Sequence, residues 1–197
     1  LAGITIWNYF MACFSGTSNT FSANAGIFGK VYFPRLIMPL VAVISNLVRF
    51  GIQLFIFMVF FLYYYYKGAG ISINEYVILF PIMVLIMGLL GLGLGMIISS
   101  MVTKYRDLKY LLNFGVQLLM YLSAVMYPIA LMREKLPRFA WLVEYNPLAY
   151  IVEASRFTLL NEGSFSLKGL FVTTLFTFAI LIFGIINFNG QYSITKK

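Results

Sequence analysis

Apolar positions along the 197-residue chain gather into long runs instead of alternating with polar ones. Five runs stand out: 1–23, 36–66, 76–102, 110–132 and 169–187. A bilayer core takes about 20 apolar residues in a helix, so the pattern predicts five spanning helices. The first turns polar toward its end, at Thr17, Ser18, Asn19, Thr20, Ser22 and Asn24. The second is longer than a span needs and closes on "FFLYYYYK". Aromatic rings with phenol tips suit the headgroup belt there. The last run is about 28 Å long at helical rise.

Residues 133–168 break the pattern. They are too apolar for a free loop, and their pieces are too short to span. In "EYNPLAYIVEASRFTLLNEG" Asn146 suits the N-cap and Pro147 the first helical position, where no N–H is needed. Glu153 and Arg156 stand at i, i+3 and can pair. Asn161 to Gly163 carries the stop signal. Upstream, Pro137 opens a second amphipathic piece, "RFAWLVEY". The segment reads as two short helices forming a re-entrant or interface-lying hairpin on the outer face. Its plain role would be to cover helix ends; its functional role would be to gate a pore mouth.

Composition supports the membrane assignment. Charged residues are 10% of the chain, against about 25% in soluble domains, and mean hydropathy is +0.90. The expected fold class is an all-α polytopic membrane bundle forming a single domain over 1–197. Net charge is +8, but the positives are scattered among spans, so they report topology rather than nucleic-acid binding. The short loops at 25–35 and 103–109 and the tail carry two, three and two basic residues, while 133–168 holds five basic and four acidic residues and does not vote clearly. The loop at 67–75 has one Lys and one Glu. Basic loops stay in the cytoplasm, which places Lys30, Arg106 and Lys197 inside and Leu1 outside. That arrangement calls for a further span upstream, six in the full chain, and Leu1 does not open a signal peptide.

Little catalytic chemistry is on offer. Histidine is absent, which removes the commonest proton shuttle and metal ligand. Cys13, the lone cysteine, suits packing in its apolar setting. "GIFGKV" lacks both the spacing and the hydroxyl of a phosphate loop. In "GLLGLGLGM", Gly91 and Gly95 form a GxxxG pair inside a span, which suits close helix packing. No carboxylate sits mid-span. Arg49 is the one charge deep in a span, where a guanidinium costs about 3 kcal/mol on insertion scales. It should face the bundle interior, a subunit interface or water, as a contact for an anionic substrate, or else snorkel to the cytoplasmic interface.

The turn "TKYRDLKY" is charged on both signs. Positive-inside topology accounts for Lys104, Arg106 and Lys109 but not for Asp107, because acids contribute little to orientation. Together with "IWNYF", "KVYFPRLIMPL", "YPIALMREKLP" and "NPLAYIVEASR", in that order, the turn resembles the ABC-2 type exporter permeases. It looks most like the branch that exports O-antigen, capsule or teichoic acid polysaccharides. Members of that family carry an amphipathic cytoplasmic helix and a first span ahead of this region.

The resemblance implies a transport subunit of the bacterial inner membrane, not an enzyme. Two copies would form a channel for a lipid-linked glycan, and each would pair with a separate cytoplasmic ATPase that binds ATP and Mg²⁺. Lys30, Pro34 and Arg35 in the first loop and Lys104, Tyr105, Arg106 and Asp107 in the second would contact that ATPase. The helices around Pro137, Asn146, Pro147, Glu153 and Arg156 would correspond to external gate helices. The chain itself would bind no cofactor. Sugar faces suit the 20 Phe and 14 Tyr, although such rings also line lipid. A permease of the same family moving a small amphiphile or drug is the nearer alternative. A membrane enzyme acting on lipid-linked sugars finds no cluster of acids to support it.

Overall fold

The computed structural model describes residues 2–20, 36–67, 75–105, 107–127, 129, 132, 134, 140–161 and 163–195. Among them the chain is helical, with no strand. The helices are α1 (Ala2–Ser18), α2 (Ile37–Tyr66), α3 (Phe80–Lys104), α4 (Leu108–Leu122), α5 (Ala140–Glu144), α6 (Pro147–Leu160) and α7 (Leu167–Thr195). A 3₁₀ turn, Glu75–Leu79, leads into α3, with a proline in the first turn of α3 where no N–H is required. The all-α expectation holds among these residues.

Among the described residues three stretches are long and apolar enough to cross a membrane: Ile37–Tyr66, Glu75–Val102 and Leu167–Gly190. The other two expected spans are shorter. Helix α1 has 17 residues, and α4 has 15, about 23 Å at helical rise. The run 110–132 therefore does not form one helix: α4 stops at Leu122, and Ala124 takes φ 50°. The apolar pattern continues past this point, but the backbone turns.

Helix α3 is the centre of the bundle. In its most apolar window 56% of residues are buried, against 17% for α2 and 22% for α7. Its glycines explain how it fits there. A Cβ on Gly91 would lie 3.0 Å from Cys13 Cβ, and one on Gly95 would lie 2.5 Å from Thr17 Cβ, so this face receives α1 at backbone range. Gly93 turns the other way: a Cβ on Gly184 of α7 would come 2.6 Å from the Gly93 carbonyl oxygen. Lipid tails are as apolar as the side chains, so close van der Waals approach has to supply the helix association that hydrophobicity supplies in water. The Gly91–Gly95 pair thus packs closely as expected, Gly93 adds a second packing side, and Cys13 is buried against the first.

Helix α2 joins through a narrow stripe. Asn46 Nδ2 donates to the Ala12 carbonyl at 2.9 Å, and the Phe50 ring meets Tyr9 at 5.0 Å and Phe80 at 6.4 Å. Most of the rest of α2 is exposed, Arg49 included. Arg49 therefore does not face the interior of this chain's bundle.

Gly184→Ala should lower stability by about 1–3 kcal/mol, because the new methyl meets backbone rather than a movable side chain. Gly51→Ala, with open space around it, should be neutral or slightly stabilising. Thermal unfolding of both variants in detergent checks the pair.

Candidate functional site: helix α6 and its arginine clamp

Helix α6 begins as its sequence predicts. Asn146 is the N-cap with extended backbone, its side-chain oxygen accepts from Leu148 N at 3.0 Å, and a proline opens the first turn. The helix ends at Asn161 in the left-handed conformation, φ 56°, and Gly163 follows at φ 111°. Asn146 also looks backward: its Nδ2 donates to the Leu122 carbonyl at 3.0 Å and to Ser123 Oγ at 3.3 Å. One side chain thus starts α6 and closes the end of α4.

The turn after α4 is held mainly by Arg156. Its Nη1 donates to the Tyr127 carbonyl at 3.0 Å. Its Nη2 donates to the Ala124 carbonyl at 2.9 Å and to the Val125 carbonyl. A planar guanidinium presents its donors in a fixed fork that reaches three carbonyls at once. The Tyr127 hydroxyl adds a bond to the Tyr121 carbonyl at 2.5 Å. The expected pair with Glu153 is present, Nη1 to Oε2 at 3.5 Å.

Glu153 is almost fully buried at 2% exposure. Its carboxylate also accepts from the backbone of Ile129 and Ser164. Burial pushes this carboxyl above the usual range, while Arg156 and the two backbone donors pull it back. Glycines give the pair room. A Cβ on Gly163 would stand 2.9 Å from Glu153 Oε1, and one on Gly3 would stand 3.0 Å from Arg156 Nη2. The start of α1, the end of α4, α6 and the 163–166 turn therefore meet on two charged side chains. Tyr76, Phe157 and Phe165 close a ring cluster beside them, with centroids 5.2–5.9 Å apart, which ties in the 3₁₀ turn before α3. Tyr150 hydrogen-bonds Ser166 at the start of α7.

The spacing of the pair was legible in the sequence, but the partners of Arg156 were not. They are backbone carbonyls some thirty positions upstream and carry no residue-type signal. Pro137 lies outside the described residues. So do Lys30, Pro34, Arg35 and Arg106, and the side chain of Lys104 is likewise undescribed.

The charged turn lies at the other end of α3 and α4. Tyr105 is extended (φ −125°, ψ 93°) and exposed, and Asp107 is exposed at the N-cap position of α4, without a side-chain cap. Its carboxylate sits at the positive end of that helix dipole, which gives Asp107 a local reason to be there that the sequence pattern did not supply. Among the described residues no group of His, Cys, Asp and Glu could hold a metal.

Residues 1–160 match the family described as ABC-2 type transporter. The chain belongs to this family. Proteins similar to it include two named O-antigen export system permease protein RfbA from Klebsiella pneumoniae. One is 26% identical over 192 residues, 96% of this chain and 70% of that protein. The other is 27% identical over 161 residues, 82% of this chain and 60% of that protein. A protein of the same name from Myxococcus xanthus is 25% identical over 150 residues, 76% of this chain and 55% of that protein. The resemblance seen in the ordered motifs is thereby borne out. An ABC-2 chain is a membrane transport subunit rather than an enzyme, and its apolar helices fit a multi-pass membrane protein.

Arg156→Ala should cost about 3–5 kcal/mol, since it strands a buried carboxylate and leaves three carbonyls without their donor. Arg156→Lys should recover only part of this. Glu153→Gln, which keeps an acceptor without burying charge, should cost less than either. Thermal unfolding and protease cutting between α4 and α6 report the order.

Proposed function

We propose that this chain is the permease subunit of an ATP-driven exporter that moves a lipid-linked polysaccharide across the bacterial inner membrane. The observation that carries the reading is the family match over 1–160 combined with relatives named for O-antigen export. In this reading α1, α2, α3, α4 and α7 all cross or enter the bilayer, and the C-terminus is cytoplasmic. Two copies meet to enclose the path, and ATP and Mg²⁺ are bound by a separate ATPase. Helices α5 and α6 form the outer gate, and the Glu153–Arg156 clamp fastens the end of α4 to it.

The coupling surface is the cytoplasmic end of the bundle: Lys30, Pro34 and Arg35 in one loop, and Lys104, Tyr105, Arg106 and Asp107 in the other. A turn of mixed sign makes specific pairs with a partner where a purely basic turn is only attracted. Exposure of Tyr105 and Asp107 fits that role. The small-amphiphile reading remains the competitor, because helix pattern does not separate cargo classes.

Deletion of the gene should abolish or sharply reduce surface polysaccharide and leave drug sensitivity unchanged. Intact surface polymer with raised drug sensitivity would overturn the cargo. Charge reversal at Asp107 together with Arg106 should weaken co-purification of the ATPase at least several-fold with normal membrane insertion; unchanged recovery of the ATPase would remove the coupling role.

A further inference from the structure

Asn46 and Phe50 of α2 point at α1, and Val43, Leu47 and Leu54 line an apolar fissure shared with α3. On the opposite flank of that contact line Ser45, Arg49 and Gln53 recur every four residues, one helical face. Ser45 and Arg49 are exposed, and Gln53 is partly so. Helix α1 continues the polar strip. Its Asn8 and Ser15 are exposed between the side that meets α2 through Ala12 and Gly16 and the side that meets α4. There Ser15, Ser18, Asn19 and Gln117 line a cavity of about 440 Å³ with Met11, Phe14 and Val116. Polar groups thus run across one otherwise apolar side of the bundle, with a single cation among them.

Arg49 is about 18 Å along α2 from Ile37 and about 26 Å from Tyr66, at helical rise. Among the described residues no ion pair to Arg49 is formed. The six acids are Glu75, Asp107, Glu134, Glu144, Glu153 and Glu162, and none falls within α1, α2, α3, α4 or α7. The same helices of a second copy carry no acid either and would add a like charge. Bulk lipid fits poorly beside Asn8 and Ser15. What complements the strip is an oxyanion attached to a polyhydroxyl chain. A guanidinium binds phosphate oxygens bidentately, while amides and hydroxyls take sugar hydroxyls and Met11, Phe14 and Val116 take their C–H faces.

We infer that Arg49, flanked by Ser45 and Gln53, is the binding site for the phosphate-bearing end of the transported amphiphile. The polar edge of α1 and the α1–α4 cavity hold the adjoining hydroxylated part. This rests on the export reading and assigns its cargo a chemical contact.

The test uses the full-length membrane protein in nanodiscs of neutral lipid, with farnesyl diphosphate as probe and farnesol as its uncharged counterpart. Farnesyl diphosphate should bind at least tenfold more tightly than farnesol. Arg49→Gln should remove that preference, Arg49→Lys should restore part of it, and Ser45→Ala with Gln53→Ala should weaken it a few-fold. Thermal unfolding of Arg49→Gln should match the parent. Equal binding of both probes, an unaffected Arg49→Gln variant, or equally potent displacement by phosphatidylglycerol would overturn the site. In cells, normal surface polymer in Arg49→Gln beside loss in the gene deletion would sink the site and leave the export reading standing. Normal polymer in the deletion would sink the export reading itself.

Discussion

The guanidinium of Arg156 is where the structure has least freedom. Helix α4 stops at Leu122, and a stopped helix frees backbone carbonyls that must find donors. In water the solvent would supply them. Ala124 and Val125 are buried, and a buried group left unmet costs about 1–3 kcal/mol, so the turn survives only where protein satisfies it. Arg156 does so for Ala124, Val125 and Tyr127, and Asn146 does so for Leu122. Remove the guanidinium and the turn loses its donors while Glu153 loses its counter-charge. The two penalties fall on one atom group, which explains why the pair is buried although ion pairs are often replaceable by apolar side chains.

The bundle around this joint is held by a different force. Glycine faces bring α1 and α7 onto opposite sides of α3 at backbone distance, and dispersion over that tight contact offsets the absence of a hydrophobic drive between helices in lipid. Helix α6 is packed into the same core as α3 through Leu148, Ile151, Val152 and Ala154, whereas α4 is tied to α6 by Arg156 and Asn146 at its end. Helix α4 is broadly exposed along Tyr110, Leu111, Phe114, Leu118 and Tyr121.

Charge is scarce enough in this chain for each position to be read singly. The Glu153–Arg156 pair is consumed by structure, and Asp107 sits where a helix dipole favours an acid. Arg49 has no such account within the fold. It stands on an exposed flank with hydroxyl and amide neighbours, and α1, α2, α3, α4 and α7 carry no acid. The asymmetry between a fully employed arginine and an unemployed one separates scaffold from surface more sharply than burial alone.

Much of this was legible in the sequence, and the limits follow from what residue types encode. Apolar runs marked the membrane class because only composition decides partition into lipid. Asn146, Pro147, Asn161 and Gly163 marked the ends of α6 because caps depend on local backbone geometry. Gly91 and Gly95 announced a close contact because a missing Cβ has few other uses inside a span. The order of the motifs pointed to the ABC-2 family. The break at Leu122 was not legible, since apolar residues continue beyond it and hydropathy does not register a turned backbone. Nor were the partners of Arg156, which are carbonyls that every residue possesses, nor the outward face of Arg49, which depends on which flank of α2 meets α1. Sequence by itself determined the solvent each segment prefers and where helices start and stop by their caps. Tertiary structure decided which groups meet, because backbone acceptors and helix faces acquire identity only when a second element is packed against them.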